Sequence, residues 1–467
     1  MRSGRLSTGW GALAVLLVAD MIYGFQQTAI TPALPVVQDD LGASREWTVW
    51  LFSGYLIVAS VAPVFLGKLA DRAGKVRVYL AALAVFLVGS VGAAVSPTIQ
   101  LVVLCRLVQG VGGVVFPLSF AIVTELLPRN KVGKGIGILT GSFGLGSLIG
   151  FPLGGLITEV LSWRWIFGVG AIALAMAIGL VRFTVPRVAE RVPRRLDTPG
   201  ALLFGSTMAA LILALTEGPQ RGWASPLTLA MFAIAVIAAI GWYFREMSTA
   251  EPLMDLRVLA SRRVLFTNIT SLLSGYAGFG VNLLLPFLLT GMAKGTVFAA
   301  AGLGAGPLLT GLALVPRALG QAVGAPLTGP LARFLGPGRA FCTGMVFVAA
   351  AGAGLAFWRS QLWMILIELT VLGLGFGLAI SLSGTIVALA ARPGETAIAT
   401  SITSVLRRAG GGIGGQISIA LLAALAMPNG DPEPEAFTVA FATSAAAGLI
   451  GAATALFAVP PERTRQP

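Results

Sequence analysis

Ionisable side chains inside long apolar segments are the residues of this chain that could do chemistry. Asp20 lies about 12 residues into the first apolar segment, which is roughly 18 Å along an α-helix. Tyr23 and Gln27 follow at helical spacings that place them on the same face. Because a carboxylate in a low-dielectric cavity can take up and release a proton near neutral pH, we predict that Asp20 carries a proton or contacts a ligand. The alternative is a structural ion pair with Arg106.

Other charged residues also lie in apolar segments. Burying a charge in a membrane costs several kcal/mol unless the charge is paired or hydrated, so each of these residues is a further candidate for the site. A basic motif that begins at Gly67 returns at Gly329, 262 residues later, which indicates two related halves. The same offset relates Arg106 to Glu368, so an ion pair between the halves is one expectation. The other is that Glu368 faces external water.

The repeat also relates Arg317 to Tyr55, and both are expected to line a central cavity. Arg407 is a further candidate, although Arg407 and Arg408 could instead extend to the inner leaflet. Counting these residues gives two acids and four cations within the apolar segments, which favours neutral, zwitterionic or anionic amphiphiles as ligands. Aromatic and amide side chains would supply adaptable contacts, or pack between helices. These candidates are Tyr23, Gln26, Gln27, Tyr55, Phe143, Tyr276 and Asn282.

The elements that position these residues are predicted from composition. Apolar residues make up 56% of the chain and charged residues 11%, with a mean hydropathy of +0.88, whereas soluble domains have about 25% charged residues. The chain has no His, and both Cys residues lie in apolar segments. We therefore expect an all-α polytopic membrane protein with no metal site, no cofactor and no enzymatic activity.

Fourteen segments are long and apolar enough to be predicted as transmembrane helices. Most of the 32 Lys and Arg residues fall in loops on one predicted face, which the positive-inside rule assigns to the cytoplasm, and a nucleic-acid partner is not expected. Both termini are expected on that side, with the first segment retained as a helix. The predicted spans are 9–36, 47–67, 77–96, 99–124, 134–160, 164–184, 199–217, 224–245, 263–291, 301–328, 340–357, 361–390, 396–427 and 436–460.

Two polar, basic, Pro-containing loops at 185–198 and 245–263 divide the chain. They predict a six-helix bundle over 1–184, linkers with two extra helices over 185–262, and a second six-helix bundle with a short tail over 263–467. The architecture is thus two pseudo-symmetric bundles plus two helices outside the repeat.

The loop GKLADRAGKVRV at 67–78 is predicted to gate the cytoplasmic side. Asp71 would accept hydrogen bonds from the start of a helix near 396–401, where the helix dipole favours a carboxylate. Arg72 and Lys75 would hold the loop at the anionic leaflet, and Gly67 and Gly74 would permit tight turns. The alternative is a loop that only sets topology.

Small residues in the fifth segment predict close helix packing, since they let a neighbouring backbone approach. The residues concerned are Gly146, Gly150, Pro152 and Gly154.

Several of these motifs resemble those of the major facilitator superfamily. The loop at 67–78 is similar to its G-x-L-A-D-R-x-G-R/K motif, and RLVQG at 106–110 to its R-x-x-Q-G element. GSLIGFPLGG at 146–155 resembles the antiporter element G-x-x-x-G-P-x-x-G-G, with Phe in the usual Pro position. The count of fourteen segments resembles the drug:proton antiporter branch. In that branch the first helix carries an acid where this chain has Gln26.

The resemblance implies a secondary transporter that exports lipophilic or amphiphilic small molecules by alternating access, driven by proton antiport. A lipid or secondary-metabolite exporter and a proton-coupled importer are the alternatives. The expected partners are the substrate, protons and the bilayer. The expected form is a monomer in the inner membrane of a bacterium, with both termini in the cytoplasm.

Overall fold

A computed structural model of the chain describes residues 2–186, 197–249, 261–294, 306–390, 396–425 and 432–458. The regular elements in these ranges are helices, and two of them are short 3₁₀ turns, at Thr31–Ala33 and Val111–Val114. The α-helices are α1 Arg2–Thr28, α2 Leu34–Asp40, α3 Arg45–Ala73, α4 Lys75–Val95, α5 Ile99–Gly110, α6 Val115–Leu126, α7 Arg129–Val160, α8 Arg164–Thr184, α9 Thr198–Arg221, α10 Pro226–Ser248, α11 Arg262–Lys294, α12 Pro307–Ala313, α13 Val315–Leu335, α14 Pro337–Phe357, α15 Leu362–Ala390, α16 Thr396–Ala424 and α17 Pro434–Ala458.

Each of the fourteen predicted segments coincides with one or more of these helices. Within the described ranges, eleven helical segments are long and apolar enough to cross a membrane. The predicted spans that fall outside this set are α7, α9 and α16. For α7 and α9 the apolar stretch is shorter, Gly144–Val160 and Leu202–Leu211. The helices have the lengths and composition of a polytopic membrane protein.

Three predicted spans are interrupted rather than continuous. The first ends as α1 at Thr28 and restarts as α2 at Leu34, because Pro32 and Pro35 lack the N–H groups that would continue the ladder. The fourth contains the 3₁₀ turn Val111–Val114 between α5 and α6. The tenth breaks at Leu314, between α12 and α13.

The junction between α3 and α4 is a single residue, Gly74. Its φ of +100° is a conformation that favours glycine, and Gly336 has a φ of +81° at the matching junction of α13 and α14. The two residues are 262 positions apart, so the repeat extends to backbone conformation. The predicted turn at Gly67 is wrong. Gly67 lies inside α3, which runs on to Ala73, because a helix can continue past the residues that span the hydrocarbon.

Two compact units make up the structure. The first contains the described residues of 1–201 together with those of 304–315, and therefore includes α12. Within it α1 packs against α7, α8 and α6, α3 packs against α5, and α4 packs against α5 and α8. Its largest fully buried side chains are Trp163, Arg106, Tyr23, Tyr55 and Tyr79 with several Phe and Leu residues.

The second unit contains the described residues of 202–303 and 316–467. In it α11 packs against α16 and α17, and α14 packs against α15 and α17. The helices outside the repeat, α9 and α10, contact each other through Phe204 and Trp242, whose ring centroids are 5.3 Å apart. Ser225 starts α10 by accepting a hydrogen bond from the backbone N–H of Thr228 at 3.3 Å.

Candidate functional site

Asp20 lies in the second half of α1 and is fully buried. Its Oδ1 accepts a hydrogen bond from the Ser119 hydroxyl of α6 at 2.9 Å, and Ser119 Oγ lies 3.3 Å from the hydroxyl oxygen of Tyr79 on α4. Since Ser119 has one proton to donate, the Tyr79 O–H can donate to Ser119 while Ser119 donates to Asp20. The other carboxylate oxygen, Oδ2, is buried without a hydrogen-bond partner. We call Asp20, Ser119 and Tyr79 the Asp20 site.

A second buried cluster lies about two helical turns further along α1 and contains Gln26, Ser90, Arg106 and Gln109, all of them fully buried. The Gln26 Oε1 accepts hydrogen bonds from Gln109 Nε2 at 3.2 Å and from Ser90 Oγ at 3.1 Å. Arg106 Nη1 donates to Gln109 Oε1 at 2.8 Å, and its Nε donates to the carbonyl oxygen of Leu51 at 2.9 Å. We call these four residues the Gln26 cluster. It joins α1, α4 and α5 through neutral acceptors.

The alternative ion pair between Asp20 and Arg106 does not form in this structure. Asp20 is bound by Ser119, whereas Arg106 is bound by carbonyl and amide oxygens and lies 4.4 Å from the centroid of the Tyr55 ring. Neither residue belongs to the ion pairs of Lys75, Arg164 and Arg221 that the described residues form.

The other predicted residues of α1 are also buried. Tyr23 packs edge-to-face on Phe86, with ring centroids 6.0 Å apart. Gln27 is 7% exposed, and its Oε1 has no hydrogen-bond partner. Phe143 lies in α7, but its side chain is outside the part of the chain that the structure describes.

The basic loop contributes an ion pair that the sequence did not predict. Lys75, at the start of α4, pairs with Glu125 near the end of α6, while Arg72 is exposed. The side chain of Asp71 and those of 396–401 lie outside the described residues. The helix-capping contact between them stays a prediction.

Glycines of α7 lie against α1 at intervals of one turn. A Cβ added to Gly146 would collide with the carbonyl oxygen of Met21, one on Gly150 with the Thr28 hydroxyl, and one on Gly154 with the carbonyl oxygen of Ala29. Pro152 lies inside the same helix. This glycine seam brings the two backbones closer than side chains would allow.

Near its C-terminal end, α7 packs against α12. Gly155 lies against the carbonyl oxygen of Pro307, and Gly311 against that of Phe151. The Glu159 carboxylate accepts a hydrogen bond from the backbone N–H of Leu308 at 3.1 Å. Helix α12, which the sequence assigns to the second half, thus packs within the first unit.

The predicted residues of the second unit are distributed over several helices. Arg317 of α13 is 4% exposed and Asn282 of α11 is 5% exposed. Tyr276 donates to Thr443 Oγ1 at 3.1 Å, and Arg407 Nη2 lies 3.3 Å from Ser404 Oγ. Glu368 is half-buried, with its carboxyl group against Gly354. The predicted pair of Arg106 with Glu368 stays a prediction.

Sequence reasoning missed the partners that complete these clusters. Ser119 and Tyr79 at the Asp20 site, and Ser90 in the Gln26 cluster, were given no role. Each is a polar side chain within an apolar helix, which is a weak signal because such hydroxyls often bond to their own helix backbone. Gln109 was present in the RLVQG motif but had no assigned partner.

The fold and buried charges define a helical membrane protein of the transporter type, and comparisons with known proteins specify the family. The chain belongs to the Major Facilitator Superfamily, whose family model matches residues 16–306 and 267–467. It is 30% identical over 438 residues to a tetracenomycin C resistance and export protein of Streptomyces glaucescens, covering 93% of this chain and 79% of that protein. It is 28% identical over 420 residues to a multidrug resistance protein B homolog of Mycobacterium tuberculosis, covering 87% and 75%. A puromycin resistance protein of Streptomyces alboniger is 28% identical over 414 residues, covering 87% and 80%.

Solved structures share the fold at low sequence identity. The nucleoside transporter NupG superposes with a TM-score of 0.70 at 14% identity, over 96% of this chain and 99% of that one. A peptide transporter, POT, gives a TM-score of 0.68 at 16% identity, over 95% and 93%. The likeness shows a shared fold.

Proposed function

We propose that this protein exports lipophilic or amphiphilic small molecules across the cell membrane by alternating access. The observation that carries the proposal is the similarity, over most of the chain, to proteins named for antibiotic resistance and export. The same similarity supports the inner membrane of a bacterium as its location. We also infer that all fourteen predicted segments cross the membrane, that both termini are cytoplasmic and that the protein acts as a monomer.

We further propose that proton antiport drives export and that Asp20 carries the proton. Its carboxyl group is buried, has one hydroxyl donor and retains an oxygen without a partner. A lone ionised carboxylate in such a place is costly, so a state in which Asp20 is protonated is accessible. The hydroxyl groups of Ser119 and Tyr79 provide a hydrogen-bonded chain toward the start of α4. Gln26, at the position where the resembling branch has an acid, is engaged in the Gln26 cluster and does not replace Asp20.

Transport by purified protein in liposomes tests the proposal. The panel would contain ethidium as a cation, pyrenebutyrate as an anion and a fluorescent phospholipid, each assayed with and without a pH gradient. We expect gradient-driven movement of the amphiphilic dyes, with Asp20→Asn abolishing the response to the gradient while substrate binding persists. Movement of the phospholipid alone would favour lipid export, and uptake in the direction of the proton flux would favour an importer.

A further inference from the structure

Arg317 is a buried cation, and the contacts it makes with described residues are to neutral groups. Its Nη2 donates to the carbonyl oxygen of Gly278 at 3.3 Å, and its guanidinium carbon lies 5.2 Å from the centroid of the Phe376 ring. Its Nε is buried without a hydrogen-bond partner, in a residue that is 4% exposed. A carbonyl dipole and a ring face reduce the cost of burying this charge but do not neutralise it.

Carboxylates of the described chain do not supply the missing counter-ion. Arg317 is absent from the ion pairs of the described residues. Glu368, an acid of α15 in the same unit, has its carboxyl group against Gly354 of α14. The Arg317 guanidinium meets α15 at Phe376, which lies eight residues from Glu368 and therefore about 80° around that helix and about 12 Å along it. Glu368 thus faces a different neighbour.

A second arginine lies on a helix that packs against α11. Arg407 contacts α11 through its backbone carbonyl at Gly275, about one turn from Gly278. Arg408 follows it in the chain.

Asn282 lies one helical turn from the carbonyl group that Arg317 contacts. In an α-helix the carbonyl of residue 278 accepts from the backbone N–H of residue 282, so Asn282 and the Gly278 carbonyl bound by Arg317 are neighbours on one face of α11. The Asn282 side chain is 5% exposed, and its Oδ1 has no hydrogen-bond partner. A carboxamide offers two N–H donors, and a guanidinium offers a planar fork that matches a carboxylate. Phe279 and Phe376, with ring centroids 5.8 Å apart, add an apolar wall.

We propose that Arg317 and Asn282 form a subsite for the carboxylate of an amphiphilic substrate, an inference that rests on the proposed export function. The substrate anion is the counter-ion that the described chain lacks, and its apolar body packs on the two Phe rings. The protein therefore prefers an amphiphile that carries a carboxylate over the same amphiphile without one.

Fluorescence titration of the purified full-length protein in detergent tests the subsite with two probes of equal apolar body, pyrenebutyrate and its N-methyl amide. We expect the acid to bind about tenfold or more tightly than the amide. Arg317→Gln should weaken acid binding by about tenfold to a hundredfold, the range for losing charge-assisted hydrogen bonds, and leave the amide within about twofold. Arg262→Gln is the matched control, because Arg262 is an exposed arginine at the start of α11 whose change should alter neither affinity by more than about twofold.

Asn282→Asp gives an independent test that keeps Arg317 intact. The new carboxylate would pair with Arg317 and compete with the substrate, so acid binding should fall about tenfold while amide binding persists. Equal affinity of the two probes for the wild type, equal losses for both in Arg317→Gln, or an unchanged preference in Asn282→Asp would each overturn the proposal. Binding is measured without a pH gradient, so a failure of export would leave the binding result valid. Equal binding of the two probes would in turn leave the export proposal unaffected.

Discussion

Ser119 and Asp20 are separated by 99 residues in the chain, yet the Ser119 hydroxyl donates to the Asp20 carboxylate at 2.9 Å in a site where both residues are fully buried. A hydroxyl donor stabilises the charged form of a carboxylate over the protonated form. Ser119 therefore sets the pH at which Asp20 takes up a proton, if Asp20 is the proton carrier.

Ser119→Ala should move the pH profile of gradient-driven export to higher pH. Hydrogen bonds to charged groups contribute about 1.5–3 kcal/mol, which corresponds to about one to two pH units. Without the donor, the protonated carboxyl group persists to higher pH, which fixes the direction of the change. Transport rates in liposomes at a series of external pH values give the profile.

Ser119→Thr is the control, because it keeps the hydroxyl and should keep the profile within about half a unit of the wild type. Tyr79→Phe should produce a smaller change in the same direction, since Tyr79 acts on Asp20 through Ser119. A profile that is identical in the alanine and threonine variants would exclude Ser119 from proton coupling.

The single-residue junction between α3 and α4 leads to a stability prediction. Gly74→Ala should destabilise the protein by about 1–2 kcal/mol, because an L-residue is strained at a φ of +100°. Gly336→Ala, at a φ of +81°, should cost a similar amount. Thermal unfolding in detergent measures both. Gly67→Ala is the control, since Gly67 lies inside α3 with open space at its Cβ position and alanine there should be neutral or stabilising. Equal melting temperatures for Gly67→Ala and Gly74→Ala would place the turn elsewhere.

Sequence patterns located the helices and the buried charges but not the partners of those charges. Periodicity and hydropathy depend on neighbouring residues, so the fourteen segments and the place of Asp20 within α1 could be predicted. The contact with Ser119 depends on how α1 packs on α6, and a lone serine in an apolar helix gives little sign of its partner.

Packing and backbone geometry, which the sequence patterns do not report, also explain why the predictions for Gln26 and Gly67 differ from the structure. Gln26 was predicted to contact substrate from its residue type, whereas the fold directs its amide oxygen to Gln109 and Ser90. Gly67 was predicted as a turn because it ends an apolar run, but hydrogen bonding continues α3 beyond that run. Helix ends follow backbone geometry, and the repeat of positive φ at Gly74 and Gly336 marks them better than hydropathy does.

In the first unit, Asp40 joins the end of α2 to the start of α8. Its Oδ2 accepts hydrogen bonds from the indole N–H of Trp163 at 2.9 Å and from Arg164 Nη1 at 2.7 Å. Asp40→Ala should destabilise the protein by about 1–3 kcal/mol, because it leaves the N–H of a buried tryptophan without an acceptor. Asp40→Asn keeps an acceptor and removes only a partly exposed ion pair, so its cost should be about 0–1 kcal/mol. Asp39→Ala, at the exposed neighbouring acid, controls for the change in charge. Thermal unfolding at low and high salt separates the two contributions, and equal costs for the alanine and asparagine variants would contradict the role of the Trp163 bond.

The glycine seam between α7 and α1 gives a prediction with a control in the same helix. Gly146→Ala places a methyl group against the backbone carbonyl of Met21, which cannot rotate away as a side chain could, so the two helices must separate. Overpacking of this kind costs about 1–3 kcal/mol. Gly144→Ala, two residues earlier, meets nothing within 4 Å and should change the melting temperature little.

Since α1 also holds Asp20, separation of the helices should weaken the Ser119 hydrogen bond, and the pH profile of export in Gly146→Ala should move in the same direction as in Ser119→Ala. A destabilised Gly146→Ala protein with an unchanged pH profile would show that the seam stabilises the fold without positioning Asp20. Equal melting temperatures for the two alanine variants would exclude the close approach itself.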